Sequence, residues 1–404
     1  MRNVVFVAPF PLETTMRFAR AVGRLAGVRM LGIAQDPPAG EDRALFKDVV
    51  TVRDGLDTRQ LVEAARLLQR RHGELHRLVG ILEPLQVQLA EVRQVLEIPG
   101  TTPVTADLFR DKARMKDELR RHGLPCARHK LIRTWTDAEV FVQEVGFPMV
   151  VKPPAGMGSK STWRIENVDQ LRAALGALHA SPERPALAEE FLRGREFSFE
   201  TITIDGAVRF QSATRYYPTP LEVMETPWLQ WVVVAPRQID GPDYADACAL
   251  GVRAVTALGL ETGMTHMEWF RRDDGSLAIG EIAARPPGAN IVRINSFAHD
   301  TDMYRAWARA VVDDAYDGPY ERKYAVGCAF LRGGGRGRVR AVHGVAQANH
   351  RVGSLVVESR LPTVGASKSD SYEGDGYVIV RDPDTEVVKQ AMTAIIETLQ
   401  VEYA

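Results

Sequence analysis

The most constraining stretch of the chain is "THMEWFRRDDGSLAIGEIAARPPG". Two apolar-rich runs flank Asp274-Gly275, a dipeptide suited to the positive φ angles of a two-residue hairpin turn. A hairpin centred there brings Glu268 and Glu281 near each other on paired strands. Met267 and Trp269 flank Glu268, and Ile279 lies two before Glu281, so strand alternation sets the carboxylates against apolar neighbours. Two carboxylates on adjacent strands repel unless a cation sits between them. Magnesium bridged to phosphates is the natural occupant, being a hard ion that keeps waters and takes only one or two carboxylates.

The chain has 404 residues, 45% hydrophobic and 25% charged, which predicts a folded protein of two or three domains. Its formal net charge of -1 gives no global pull toward nucleic acid or anionic membrane, so any polyanion must be held locally. Cys126, Cys248 and Cys328 lack metal-type spacing and read as buried thiols of a reducing compartment. No apolar run approaches the roughly 18 to 20 residues that span a bilayer, and the opening "MRNVVFVAPF" is too brief for a secretory signal. A cytoplasmic protein is expected.

Strand and helix patterns alternate over the first hundred or so residues, predicting a small α/β unit with a parallel sheet. Its first strand-helix turn, "PFPLETT", contains no glycine, which excludes the dinucleotide-binding fingerprint. "DKARMKDELRRHG", closed by Gly123, is a charged helix that opens a second unit. Beyond it strands and helices mix without strict alternation, an α+β pattern. No internal repeat is present.

Within this second unit, "VVKPPAGMGSKST" puts Lys152 at the end of a strand and a glycine-bearing loop after it. Backbone N–H groups of such a loop can point at phosphate oxygens, with Lys152 as a fixed charge, although glycine and serine after a strand more often make a plain turn. It is not a Walker loop. "EEFLRGREFS" offers an edge for a purine, with Glu196 placed to accept from ribose hydroxyls, or else a surface turn. "EIAARPPGAN" sets Arg285 four residues after Glu281, where its planar donors suit a phosphate or carboxylate.

Lys112, Lys152, the glycine loop, "EEFLRGRE", Glu268 and "EIAAR", in this order, resemble the ATP-grasp superfamily. The resemblance implies a Rossmann-like N-terminal domain over residues 1–110, a small ATP-grasp subdomain over 111–188 and a second ATP-grasp subdomain with a terminal lid-like extension over 189–404. It implies Lys112 and Lys152 on the nucleotide, and Gly156, Met157, Gly158, Ser159 and Lys160 as the loop over its phosphates. Glu189, Glu190 and Leu192 fall in the adenine hinge, acting largely through backbone groups, and Glu196 on the ribose. Glu268 and Glu281 are the implied ligands of Mg2+ or Mn2+, and Arg285 steadies the acyl-phosphate end. "THMEW", with His266, and "EIAARPPG" resemble the branch of L-amino-acid (dipeptide) ligases. Ala283 stands where many members carry a metal-binding asparagine, leaving Asn290 or water to substitute.

That resemblance implies transfer of the γ-phosphoryl group of ATP to a carboxylate, attack by an amine on the acyl phosphate, and a homodimer. Small-molecule substrates follow, with no nucleic acid and no membrane as partner. "RYYPTPLEVMETPWLQW" is expected to wall the acceptor pocket, with Glu222 or Glu225 for an amino group and Trp228 for an apolar side chain. Arg332, in "LRGGGRGR", is a further candidate for a substrate carboxylate. Two alternatives stay open: a purine-biosynthesis or carboxylase-type ligase, and a non-catalytic ATP-binding regulatory protein.

Overall fold

The computed structural model describes residues 1–156 and 161–404. Four parallel strands, β1 (Arg2–Val7), β2 (Val28–Ala34), β3 (Asp48–Thr51) and β4 (Leu75–Val79), form the N-terminal sheet in the order β3-β2-β1-β4. Helices Thr58–His72 and Gln86–Leu96 cover one face through Leu61, Leu68 and Leu89. The other face is covered by Glu13–Gly23 and by Met303–Asp313, a helix from the far end of the chain, with Phe18 edge-on to Trp307 at 5.0 Å. The α/β unit expected over residues 1–110 is therefore completed by a helix nearly 200 residues later, which the division of the chain by sequence did not include.

The small sheet contains β5 (His129–Ile132), β6 (Met149–Lys152), β7 (Trp163–Ile165) and β8 (Ala186–Glu190), antiparallel in the order β5-β8-β6-β7. Helices Trp135–Val145 and Val168–Ala177 pack on it through Phe141 and Leu171, against Val151, Ala186 and Ala188. Alternation then turns Val150, Lys152 and Glu189 to the opposite face. Because β8 runs to Glu190, the sheet crosses the 188/189 division. The helix Lys112–Arg121, capped by Asp111, also departs from that division: its Met115 and Leu119 pack on the third sheet.

That third sheet is antiparallel and eight-stranded. It is made of β9 (Gly194–Ile204), β10 (Ala207–Tyr217), β11 (Trp231–Ala235), β12 (Gly263–Arg272), β13 (Leu277–Ala283), β14 (Ala325–Leu331), β16 (Val356–Arg360) and β17 (Gly376–Asp382), with β15 (Val339–His343) pairing separately with β18 (Gln400–Tyr403). The order is β13-β12-β9-β10-β11-β14-β17-β16. Phe197, Phe199, Met267 and Trp269 face the helix Ala245–Ala257, so alternation delivers Glu196, Ser198, Glu200, His266 and Glu268 to the other side.

The hairpin of β12 and β13 departs from a two-residue turn. Its turn spans Asp273–Ser276, closed by the Arg272 N–H donating to Ser276 O at 2.8 Å. Arg271 then pairs with Leu277 and Trp269 with Ile279. One extra residue, Gly280, bulges out just after Ile279, and the register shift restores the direct pairing of Glu268 with Glu281.

Candidate active site

The cleft face of the large sheet and the inner face of the small one enclose a cavity of about 850 Å³. Glu281, Glu268, Lys112, Lys152, Glu189 and Arg285 all line it. Lys152 reaches Glu189 at 2.9 Å and Glu281 at 3.6 Å, while Lys112 stands 3.5 Å from Glu281. At the stem of the glycine loop the Gly156 carbonyl accepts from Lys112 Nζ at 3.1 Å and from Arg110 Nη1 at 3.0 Å. Met157, Gly158, Ser159 and Lys160 lie outside the described residues.

Three site residues carry no signal that sequence reasoning used. Lys116, fully buried, donates to the bulged Gly280 carbonyl at 2.6 Å and pairs with Glu189 at 2.7 Å. Glu83, buried just after β4, takes both Nε and Nη2 of Arg285 on one oxygen, at 3.1 and 2.7 Å, and so aims that guanidinium. Glu200 bonds His266 Nδ1 at 3.0 Å, while His266 Nε2 lies 3.8 Å from Glu268.

The electrostatics follow from these contacts. Burial opposes ionisation of Glu189, but Lys116 and Lys152 outweigh it and bring its pKa down to about 2. Burial likewise opposes ionisation of Glu281, and Lys112, Lys152, Lys116 and Arg285 hold its carboxyl well below the usual range. For Lys116 burial is the larger influence and lowers its pKa, against the pull of Glu189. In His266 burial is overcome by Glu200 and Glu268, and the ring is raised to about 9. Glu196, on β9 beside them, is pushed far up by burial and then by the charges of Glu268 and Glu281.

A carboxyl raised in this way marks a spot with too little positive charge. A cation between Glu268 and Glu281 would supply it, so the residues present fit magnesium. Among the described residues no group of three or more His, Cys, Asp or Glu is placed to hold a metal, and the paired carboxylates of Glu268 and Glu281 would have to be completed by water or by a ligand. Asn290 lines the cavity at the start of the helix Ile291–His299.

Of the hinge residues, Glu190 spends its carboxylate on Arg128 and Arg272, at 3.0 and 2.9 Å, leaving backbone groups for a ligand; Leu192 and Glu196 line the cavity. The acceptor-wall expectation needs correction at three residues. Segment 216–231 does line the cavity, through Tyr216, Leu221, Glu222, Met224 and Trp231. Glu225 and Trp228 do not: both are exposed, Trp228 at 63%, because the short helix Pro220–Glu225 buries Val223 and turns them outward. Arg332 is buried behind that helix, donating to Val223 O at 2.7 Å and Leu229 O at 3.0 Å, so it staples the segment and does not face a substrate.

Glu189 makes the fold acid-sensitive. Its pKa lies below the unfolded value of 4.5, so its contribution is complete above about pH 4.5 and is lost as pH falls toward 2. The shift corresponds to about 3 kcal/mol. Urea unfolding at successive pH values should show that loss, and Glu189→Gln should flatten it. An unchanged slope would mean that the two lysines do not hold the carboxylate ionised.

Comparison with known proteins agrees with this arrangement. Residues 117–297 match the family model of the ATP-grasp domain. An L-arginine-specific L-amino acid ligase of Bacillus subtilis is 26% identical over 254 residues, 62% of this chain and 60% of that protein. The carbamoyl phosphate synthase large chain of Rubrobacter xylanophilus is 24% identical over 201 residues, 48% of this chain and 18% of that one. The chain thus matches 60% and 18% of the length of these two relatives, less than two thirds of either. In structure, the L-amino acid ligase from Bacillus licheniformis superposes with a TM-score of 0.82 at 19% identity, covering 100% of this chain and 99% of that one. The chain carries an ATP-grasp domain, and its overall fold is that of the ATP-grasp enzymes. Among the described residues no helix is long and apolar enough to cross a membrane.

Proposed function

We propose that the protein is an ATP-dependent carboxylate–amine ligase that makes an amide or peptide bond through an acyl phosphate, releasing ADP and phosphate, with an amino acid or other small acid as substrate. The observation that carries this reading is the convergence of Lys112, Lys152 and Arg285 on the paired carboxylates Glu268 and Glu281, at the wall of a cavity large enough for a nucleotide and two small substrates. A carboxylate is a poor electrophile, and phosphorylation turns one of its oxygens into a leaving group. Glu268 and Glu281 would hold magnesium, which would supply charge neutralisation on the transferring phosphoryl group.

The chain's own residues do the rest. Lys112 and Lys152 spread positive charge along the phosphates, and Arg285, aimed by Glu83, faces the developing negative charge on the acyl phosphate and the tetrahedral intermediate. Closure of the two sheets aligns the reactants and excludes water. The names of the relatives with L-amino acid ligase activity support amino acids as the substrate class. A homodimer and a cytoplasmic location belong to the same proposal.

The test is ADP release with Mg-ATP across pairwise mixtures of amino acids and small carboxylic acids, read by mass spectrometry. ADP together with a new condensed mass is the expected result. Measurable ATP binding with no ADP from any mixture would favour a non-catalytic nucleotide binder.

A further inference from the structure

The cavity has a second pair of opposite charges that the phosphoryl-transfer machinery leaves unused. Arg17, from the helix Glu13–Gly23, and Glu373, from the segment before β17, both line it. They come from opposite ends of the chain, and among the described residues neither is held in a close ion pair of its own. The one hydrogen bond of Arg17 to a carboxylate is a long 3.4 Å contact to Glu13, whose two oxygens are already gripped by Arg20 at 2.9 Å each. Among the described residues Glu373 forms no ion pair, and its one hydrogen bond as acceptor is from the Ala289 N–H, at 2.8 Å. Among the described residues Arg17 and Glu373 do not bridge each other, although the positive charges of Arg360 and Arg17 both bear on Glu373.

Glu373 is also held in place. Ser371 Oγ accepts from the Glu373 N–H at 3.1 Å, the Ser369 N–H reaches Asp375 at 2.9 Å, and Asp375 is fixed by the Tyr403 hydroxyl at 2.5 Å. Gly288, three residues beyond Arg285, faces it: a Cβ there would lie 3.6 Å from Glu373 Oε1 and 3.7 Å from the Tyr372 hydroxyl. Tyr372, Glu373 and Arg285 line the same cavity, with Gly288 next to the first two. Arg17 lines the cavity on the side of the N-terminal unit, and Tyr304 belongs to the same lining.

A fixed cation and a fixed anion, separated across one cavity and each short of a partner, match a ligand with both charges. We propose that Arg17 and Glu373 form the subsite of the attacking amine, and that this substrate is a free α-amino acid, its carboxylate on Arg17 and its ammonium on Glu373. This inference rests on the ligase reading. The ammonium passes one proton to the Glu373 carboxylate, and the freed nitrogen lone pair attacks the acyl-phosphate carbon. The C–N bond forms, the C–O bond to phosphorus breaks with its electron pair leaving on phosphate, and the second nitrogen proton goes to that phosphate. Burial raises the pKa of Glu373, which suits a group that accepts a proton near neutrality.

Hydroxylamine separates the two halves of the reaction, because it is already neutral near pH 7 and traps an acyl phosphate as a hydroxamate without an ammonium acceptor. Each L-amino acid is first offered as the acid with Mg-ATP and hydroxylamine; L-alanine, L-leucine and their carboxamides are then compared as amines. Wild type should prefer the free amino acids over the carboxamides by roughly 30-fold or more in kcat/KM, and Arg17→Met should bring the two to parity through KM. Glu373→Gln should lower coupling to either amine by about 10²-fold, with a much smaller loss of hydroxamate. Arg17→Met keeping the wild-type preference, or Glu373→Gln losing hydroxamate as fully as coupling, would overturn the subsite and leave the ligase reading standing. If Glu373→Gln fails to fold, the Arg17→Met comparison decides alone. Absence of hydroxamate from wild type with every acid would overturn the ligase reading itself.

Discussion

Glu281→Gln is expected to lower turnover by roughly 10²- to 10³-fold or more, the range found when one preorganised charge is removed from the point where negative charge develops. Glu281 faces Glu268 across the strand pair and is approached by Lys112 and Lys152, so the substitution removes one of the two carboxylates proposed to hold the metal and takes one negative partner from each lysine. ATP binding measured without metal should change far less than kcat. Weaker magnesium dependence of activity, read as a higher concentration for half-maximal rate, is the second expected sign. Retained turnover at ordinary magnesium would remove Glu281 from the metal site.

Lys116→Met should act differently, on stability. Lys116 does not line the cavity; its ammonium lies under it, between Glu189 and the Gly280 carbonyl. Removing it leaves a buried carboxylate with one lysine instead of two and a bulged carbonyl without its donor. Breaking a buried pair from one side costs about 3 to 5 kcal/mol, and the low end applies because Lys152 still holds Glu189 at 2.9 Å. Urea unfolding at neutral pH checks this. Lys152→Met, by contrast, should mainly raise the KM for ATP, since Lys152 faces the cavity. A Lys116→Met protein of wild-type stability that binds ATP poorly would make Lys116 a nucleotide ligand.

The contrast between these two lysines shows where sequence reasoning reaches and where it stops. Lys112 and Lys116 are one helical turn apart, so i,i+4 spacing alone puts both on one face. What separates them is depth, and depth is set by a β-bulge at Gly280 more than 160 residues away. The polar stripe of β9 was legible, because Phe197 and Phe199 alternate with Glu196, Ser198 and Glu200, yet Glu200 stands out only once its cross-strand partner is known to be His266. Local pattern also located the hairpin and the paired glutamates. It misjudged the turn, and the bulge compensated by one residue.

Long-range pairings left no local trace. Glu83 follows a strand as an ordinary loop residue, and only the folded chain brings it to Arg285, some 200 positions later. Arg17 and Glu373 are farther apart still. Trp228 and Glu225 attracted attention as large or charged residues in an aromatic loop, but a six-residue helix fixes which side chains turn inward, and it selects Leu221, Glu222 and Met224. Arg332 reads as a free cation in a glycine-rich run and proves to be the staple behind that helix.

The most direct test of carboxylate activation by phosphorylation is the fate of the acid's own oxygen. The acid substrate is labelled with 18O in its carboxylate and turned over with Mg-ATP and an amine, and the released phosphate is examined by mass spectrometry. Transfer of one 18O to inorganic phosphate in each turnover is the predicted result, because the acyl-phosphate oxygen leaves with phosphorus. Unlabelled phosphate, or 18O recovered in AMP, would contradict the account.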